Sequence, residues 1–242
     1  KEQATKDRGG EVLFFQASDR VKAMEASSKA YPGATLYRRT SLLVDHGGGR
    51  NYVVDFFRVE GGKRQDYVYH GFKAEFQISD LKSESSQAPL YDFKNIRAAD
   101  GAAVWRATWK CGAGMTCVAW NVGQRGEQAF VADGWGQRDW KNSDIGATIP
   151  YIIRRCEGEG VKAFISVFEG HEGGPFVRGV KRLDPSGVLL VETALGCDYV
   201  MSALDTGTLE AKTAAGAQRI TGHFAVVSVQ NGKVAWKFVR EK

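Results

Sequence analysis

The chain has 242 residues, 43% of them hydrophobic and 25% charged, enough to bury a full core as one large β domain or two small ones. Its net charge of +5 suits anionic partners, but the basic residues are scattered among acids, so nucleic acid is not indicated. No apolar run approaches the roughly 18 residues that cross a bilayer as a helix, and no membrane span is expected. The charged opening KEQATKDRGG lacks Met and is not a signal peptide. It reads as a processed product or a portion of a larger protein whose export signal or partner domain lies upstream.

Taken in order, period-two alternation predicts strands over residues 11–16, 21–25, 36–45, 51–59, 66–70 and 73–78. The run 104–110 shows the pattern best, with Trp105, Ala107 and Trp109 on one face and Arg106, Thr108 and Lys110 on the other. Further strands are expected over 115–122, 128–132, 149–155, 161–168, 177–183, 188–193, 199–204, 219–229 and 234–239. Capped helix-period segments are nearly absent. Turn-prone clusters at 60–63, 111–117, 157–160, 184–187 and 230–232 read as hairpin connections. Segments 82–89 and 133–146 read as loops, the second carrying Trp135 and Trp140. The expected fold is all-β, a large antiparallel multi-stranded β-sandwich.

The four cysteines show no CxxC pair and no zinc spacing. Cys111 and Cys117 flank a Gly-rich turn, where they either face each other as a disulfide pair or sit as two separate thiols. Asp55 shares a strand face with Val53 and Phe57 and is expected to be buried, so it needs a cationic partner. Arg38, Arg39 and Arg58 are the nearest candidates for a structural ion pair. In Asp66-Tyr67-Val68-Tyr69-His70, alternation sets the two tyrosines on one face and Asp66 with His70 on the other. Tyr and His are acid–base residue types, and elimination from a uronic acid needs a base, an acid and a group that neutralises the carboxylate. His46, His171 and His223 lack a second ligand at metal spacing and are expected to be surface or hydrogen-bonded histidines, His171 the most exposed. Trp135 and Trp140 either stack on sugar rings or, the commoner fate of Trp, pack into the core.

The motifs YRRTSLLVD (37–45), NYVVDFFRVEGG (51–62) and DYVYHG (66–71) resemble the C-terminal β domain of heparinase II/III-like polysaccharide lyases. A weaker similarity continues through IPYIIRRCEGEGVKAFISVFEG, VLLVETALGCDYVMSALD and GHFAVVSVQNGKVAWKFV. In that family a helical toroid precedes a layered β-sandwich, and the cleft between them degrades acidic polysaccharides by β-elimination. The resemblance implies that residues 1–242 are one C-terminal β-sandwich domain, with the helical catalytic domain of the same protein upstream. It implies an acidic polysaccharide as partner and a secreted or periplasmic bacterial location. The family's His-x-His and His-Asn elements are missing, so no metal ligand or cofactor is assigned to this chain, and any divalent metal belongs to the complete enzyme. Tyr69 and His70 are the catalytic candidates; Arg39, Arg58, Trp135 and Trp140 are the substrate-binding candidates. Asp55 is the structural ion-pair residue. The competing expectation is a stand-alone carbohydrate-binding or adhesion module without catalysis.

Overall fold

A computed structural model of the chain describes residues 9–183 and 188–240. The first strands are β1 Gly10–Ala17, β2 Val21–Ser28, β3 Ala34–Asp45, β4 Asn51–Gly61, β5 Arg64–His70 and β6 Glu75–Ser79. Then come β7 Glu84–Ser85, β8 Lys94–Asp100, β9 Val104–Gly112, β10 Met115–Val122, β11 Gln128–Trp135 and β12 Thr148–Glu157. The last are β13 Lys162–Glu172, β14 Val177–Arg182, β15 Val188–Thr193, β16 Gly196–Thr213, β17 Gly216–Gln230 and β18 Lys233–Arg240. The described residues contain no helix, and the all-β expectation holds.

These strands build three antiparallel sheets. An eight-stranded middle sheet runs β1-β2-β3-β4-β13-β10-β9-β6. On one side lies a five-stranded sheet, β5-β12-β11-β8-β7, whose strands interleave in sequence with those of the middle sheet. On the other lies the C-terminal sheet, a plain meander from β14 to β18. Because the middle sheet is covered on both faces, its strands must be apolar on both, and β4 shows why NYVVDFFRVE breaks simple alternation. Tyr52, Val54 and Phe56 pack toward the C-terminal sheet with Leu189, Val200 and Phe224. Phe57 and Val59 pack the other way, with Tyr67 and Cys156 of the interleaved sheet.

The outer face of the C-terminal sheet is covered from within the chain. The long β16–β17 hairpin loses its register between Ser202 and Gly207, and beyond that bend Ala211 and Ile220 join Val188, Tyr199 and Met201 in one buried cluster. At 230–232 the expected hairpin is present, with Asn231 and Gly232 at φ of 49° and 71°, the positive pair a two-residue turn requires.

Polar groups tie the layers together. On β12 the guanidinium of Arg154 reaches Glu127 through Nε at 2.6 Å and Nη2 at 3.0 Å. It also donates to the carbonyls of Val122 at 2.8 Å and Ile165 at 2.7 Å, both in the middle sheet. Toward the C-terminal sheet, His46 Nε2 lies 2.7 Å from Asp198, which also accepts the Tyr52 hydroxyl at 2.7 Å. A second buried pair, His223 and Glu25, meets at 3.1 Å.

Several expectations are corrected. The turns at 60–63 and 157–160 are not hairpins: β4 and β5 lie in different sheets, as do β12 and β13, so these glycine turns carry the chain across a layer. Gly61 has φ of 105°, and a Cβ there would stand 2.1 Å from the Gly33 carbonyl, so the crossing excludes any side chain. The segment 82–89 contains the short strand β7, and residues 133–135 extend β11 rather than opening a loop. Strand β8 went unforeseen because KNIRAAD is largely polar and half exposed. Trp135 and Trp140 are exposed rather than in the core. Of His46, His171 and His223, His171 is the most exposed, as expected, while the other two are buried; His70 is more exposed still. Cys111 and Cys117 neighbour one another on β9 and β10 as free thiols, with burial and then Cys111 pushing the Cys117 thiol up to about 11. The predicted turn at 184–187 lies outside the described residues.

Glu127→Leu should destabilise the fold by about 3–5 kcal/mol, because it strands a buried guanidinium. The double variant Glu127→Leu/Arg154→Met should lie much nearer the wild type in urea denaturation. Equal losses in the two would show that pairing is not the source.

Candidate functional site

Where β2 and β3 pass the edge strand β5, the surface opens into a cavity of about 620 Å³ lined by Tyr31, Tyr37, Arg39, Asp66, Tyr67, Tyr91 and Phe93. That volume falls in the range of small-molecule sites. Arg39 is its cation. Its Nε lies 2.7 Å from Asp55 Oδ1, yet its side chain is 54% exposed while the Asp55 side chain is 2% exposed. Asp55 also accepts the Ser41 hydroxyl at 3.0 Å and the Tyr67 hydroxyl at 3.1 Å. The buried carboxylate therefore acts as an anchor that fixes the plane of a guanidinium on the cleft wall, whose Nη2 also donates to the Tyr67 hydroxyl at 3.4 Å.

A second anchor stands across the cavity. Asp66 takes a two-pronged contact from Arg155 at 2.7 and 2.8 Å and the Tyr91 hydroxyl at 2.6 Å. Burial works to raise the Asp66 carboxyl, but the bonds from Arg155 and Tyr91 outweigh it and hold the group below the usual carboxylate range. Between the anchors the wall is aromatic, with Tyr31 and Tyr37 centroids 5.3 Å apart and Tyr37 edge-on to Phe57 at 4.9 Å. Burial raises three of the phenols that line the cavity: Tyr37; Tyr67, with Asp55 beside it; and Tyr91, pushed up to about 12. At neutral pH they are hydrogen-bond donors and not bases.

The structure separates the other candidates from this cleft. Tyr69 points between the sheets and donates to Asn121 Oδ1 at 2.7 Å, with burial raising its phenol. His70, the next residue along β5, is exposed; its ring centre lies 4.7 Å from that of Tyr151 and its Nδ1 2.9 Å from the Gly71 carbonyl. Both border a smaller pocket of about 320 Å³ with Phe72 and Trp109. Arg58 lies on the opposite face of the middle sheet from Arg39, donating to the Ser202 carbonyl at 3.0 Å. Trp135 and Trp140 are 69% and 84% exposed, and the Lys141 ammonium sits 5.3 Å from the Trp140 ring. Sequence reasoning missed Tyr31, Tyr91 and Phe93, which sit in turns with no periodicity to mark them. Among the described residues no three His, Cys, Asp or Glu side chains gather into a metal-ligand set.

No protein-family model matches the chain, and no curated protein matches its sequence. Solved structures do match in fold. A heparan sulfate lyase HepC mutant from Pedobacter heparinus superposes with a TM-score of 0.52 at 9% identity, covering 88% of this chain and 28% of that one. The heparinase III BT4657 gene product with methylated lysines gives 0.55 at 12% identity, covering 96% and 27%. Another structure of that gene product gives 0.53 at 14%, covering 76% and 26%. The chain thus spans about a quarter of the length of the structures it resembles, and the likeness is one of fold.

The depressed Asp66 carboxyl sets an acid dependence. Its contribution to stability is complete above the unfolded carboxylate value of about 3.9 and is lost as pH falls through the lower folded value. Asp66→Asn should flatten the loss of stability below about pH 4, read from urea midpoints across the acid range. An acid limb identical to the wild type would refute the assignment.

Proposed function

We propose that this chain is the β-sandwich part of a heparinase II/III-like polysaccharide lyase, supporting the substrate cleft of an enzyme that cleaves uronic-acid-containing polysaccharides by β-elimination. The observation that carries the reading is Arg39, half exposed and locked by Asp55 in an aromatic-lined cavity of about 620 Å³, on a fold like that of part of the heparinase III structures. A guanidinium held in plane matches a carboxylate or sulfate, and tyrosine rings offer apolar faces to sugar rings.

The same cleft argues that proton abstraction is done elsewhere. Taking the C5 proton of a uronate needs a group that is a base at neutral pH, whereas burial keeps the cleft phenols protonated. The base, and any divalent metal, would come from the N-terminal helical domain of the same protein. His70 is the exposed one of the described histidines, and we assign it a place where the two parts meet. Tyr69, held on Asn121, would position its strand. Substrates of this kind are extracellular polymers, which fits a secreted or periplasmic bacterial protein. A stand-alone carbohydrate-binding module is the second reading, favoured by Trp135 and Trp140 standing 69% and 84% exposed.

Mixing the chain with heparan sulfate, alginate and neutral dextran, and following both binding and the absorbance of unsaturated uronate, tests the reading. Salt-sensitive binding of the acidic polymers without product is expected, weakened at least tenfold by Arg39→Gln. Failure to bind any acidic polymer at low salt, or rapid depolymerisation by this chain alone, would overturn it. In the intact enzyme His70→Ala should lower kcat by about 10²-fold or more if its imidazole transfers a proton; unchanged kinetics would leave it a structural residue.

A further inference from the structure

On the far side of the middle sheet, at the end where β4, β10 and β13 meet β14 and the bend of β16, the sheets part around a cavity of about 880 Å³. Three of its lining residues are Arg58, Arg125 and Arg182, and none of the described lining residues is acidic. Arg58 is 4% exposed; its Nη2 donates to the Ser202 carbonyl at 3.0 Å, but its Nη1 is buried with no hydrogen-bond partner. An orphaned donor on a buried cation is costly, and native interiors seldom leave one without a reason.

Among the described residues no carboxylate forms an ion pair with Arg58 itself. Arg38 stands directly opposite it on β3, a like-charge cross-strand pair that is unfavourable on its own. Glu25 is the buried carboxylate nearby, and it is shared among Arg38 at 3.3 Å, Thr40 at 2.5 Å and His223 at 3.1 Å; the exposed Asp205 lies 3.7 Å from Arg38. Glu127, beyond Gln124, is committed to Arg154. Burial pushes the Arg58 guanidinium down to about 10, and Arg38 and Arg182 push the same way against Glu25. The group still carries its charge at neutral pH, and among the described residues no carboxylate is committed to it.

The geometry points to an oxyanion site in this cavity: a sulfate- or carboxylate-class group held by Arg58 from within and by Arg125 at the mouth. Arginine forks suit such groups because two parallel N–H donors match two oxygens. The inference does not rest on the lyase reading, since this cavity and the Arg39 cleft lie on opposite faces of the middle sheet and a free inorganic ion is enough to test it.

The test titrates the chain with sodium sulfate, sodium glucuronate and a heparan sulfate oligosaccharide at ionic strength matched with chloride, following heat of binding and thermal midpoint. A saturable response is expected, distinct from the linear stabilisation sulfate gives to proteins generally. Arg58→Met, which keeps volume and removes charge, should abolish it. Arg125→Gln, at an exposed turn position, should weaken it at least fivefold without disturbing the fold. A response to inorganic sulfate identifies a site for the free ion. A response to the oligosaccharide alone, lost in the same variants, identifies a sulfate or carboxylate carried on a glycan. If wild type and both variants respond alike to all three probes, the site does not exist.

Discussion

The middle sheet is buried on both faces, and Arg154 is the residue that makes this geometry tolerable for polar groups at its centre. A guanidinium at 0% exposure is expensive unless its donors are met, and here Glu127, Val122, Ile165 and Ser166 all accept from it. The consequence is registration. Backbone carbonyls on β10 and β13 are fixed against a side chain on β12, so the interleaved sheet cannot slide over the middle sheet without breaking charged hydrogen bonds. Apolar contacts such as Phe164 on Tyr67 supply area but little direction.

The two interfaces of the middle sheet are built differently. Toward the interleaved sheet, arginine–carboxylate bridges dominate: Arg154 with Glu127, and Arg39 with Asp55 at the cleft. Toward the C-terminal sheet buried histidine–carboxylate pairs join in, His46 with Asp198 and His223 with Glu25, beside the Arg38 bridges to Glu25 and Asp205. The Arg39 cleft belongs to the first interface and inherits its rigidity. Asp55, Ser41 and Tyr67 hold the guanidinium before any ligand arrives, so little ordering remains to oppose binding.

Much of this was legible in the residues. Asp55 between Val53 and Phe57 was expected to be buried and to need an arginine, and alternation in 66–70 set Tyr67 with Tyr69 on one face and His70 on the other. What period two cannot show is which sheet a strand joins. Gly61-Gly62 and Gly158 look like hairpin glycines because a layer crossing and a tight turn both ask for positive φ. Nor does periodicity reach across the chain: the partnership of Arg155 with Asp66 spans 89 residues, and Tyr91 enters the cleft from a segment without a pattern. The tryptophans misled for a different reason. Residue type argued for the core, while their polar neighbours, Gln137 to Ser143, argued for solvent, and the neighbours were the better guide.

The chain visits the middle and interleaved sheets alternately, from β4 to β5, back for β6, out to β7 and β8, and so on until β13. Neither layer is continuous in sequence: the interleaved sheet is complete only when Glu157 has been made and the middle sheet only at Glu172. The third layer is the reverse: five neighbouring strands, each beside its predecessor. Emerging from the ribosome, the first two layers must wait for one another and close together, holding open strand edges meanwhile. The last layer can zip up by local contacts alone and dock as a lid on a finished face.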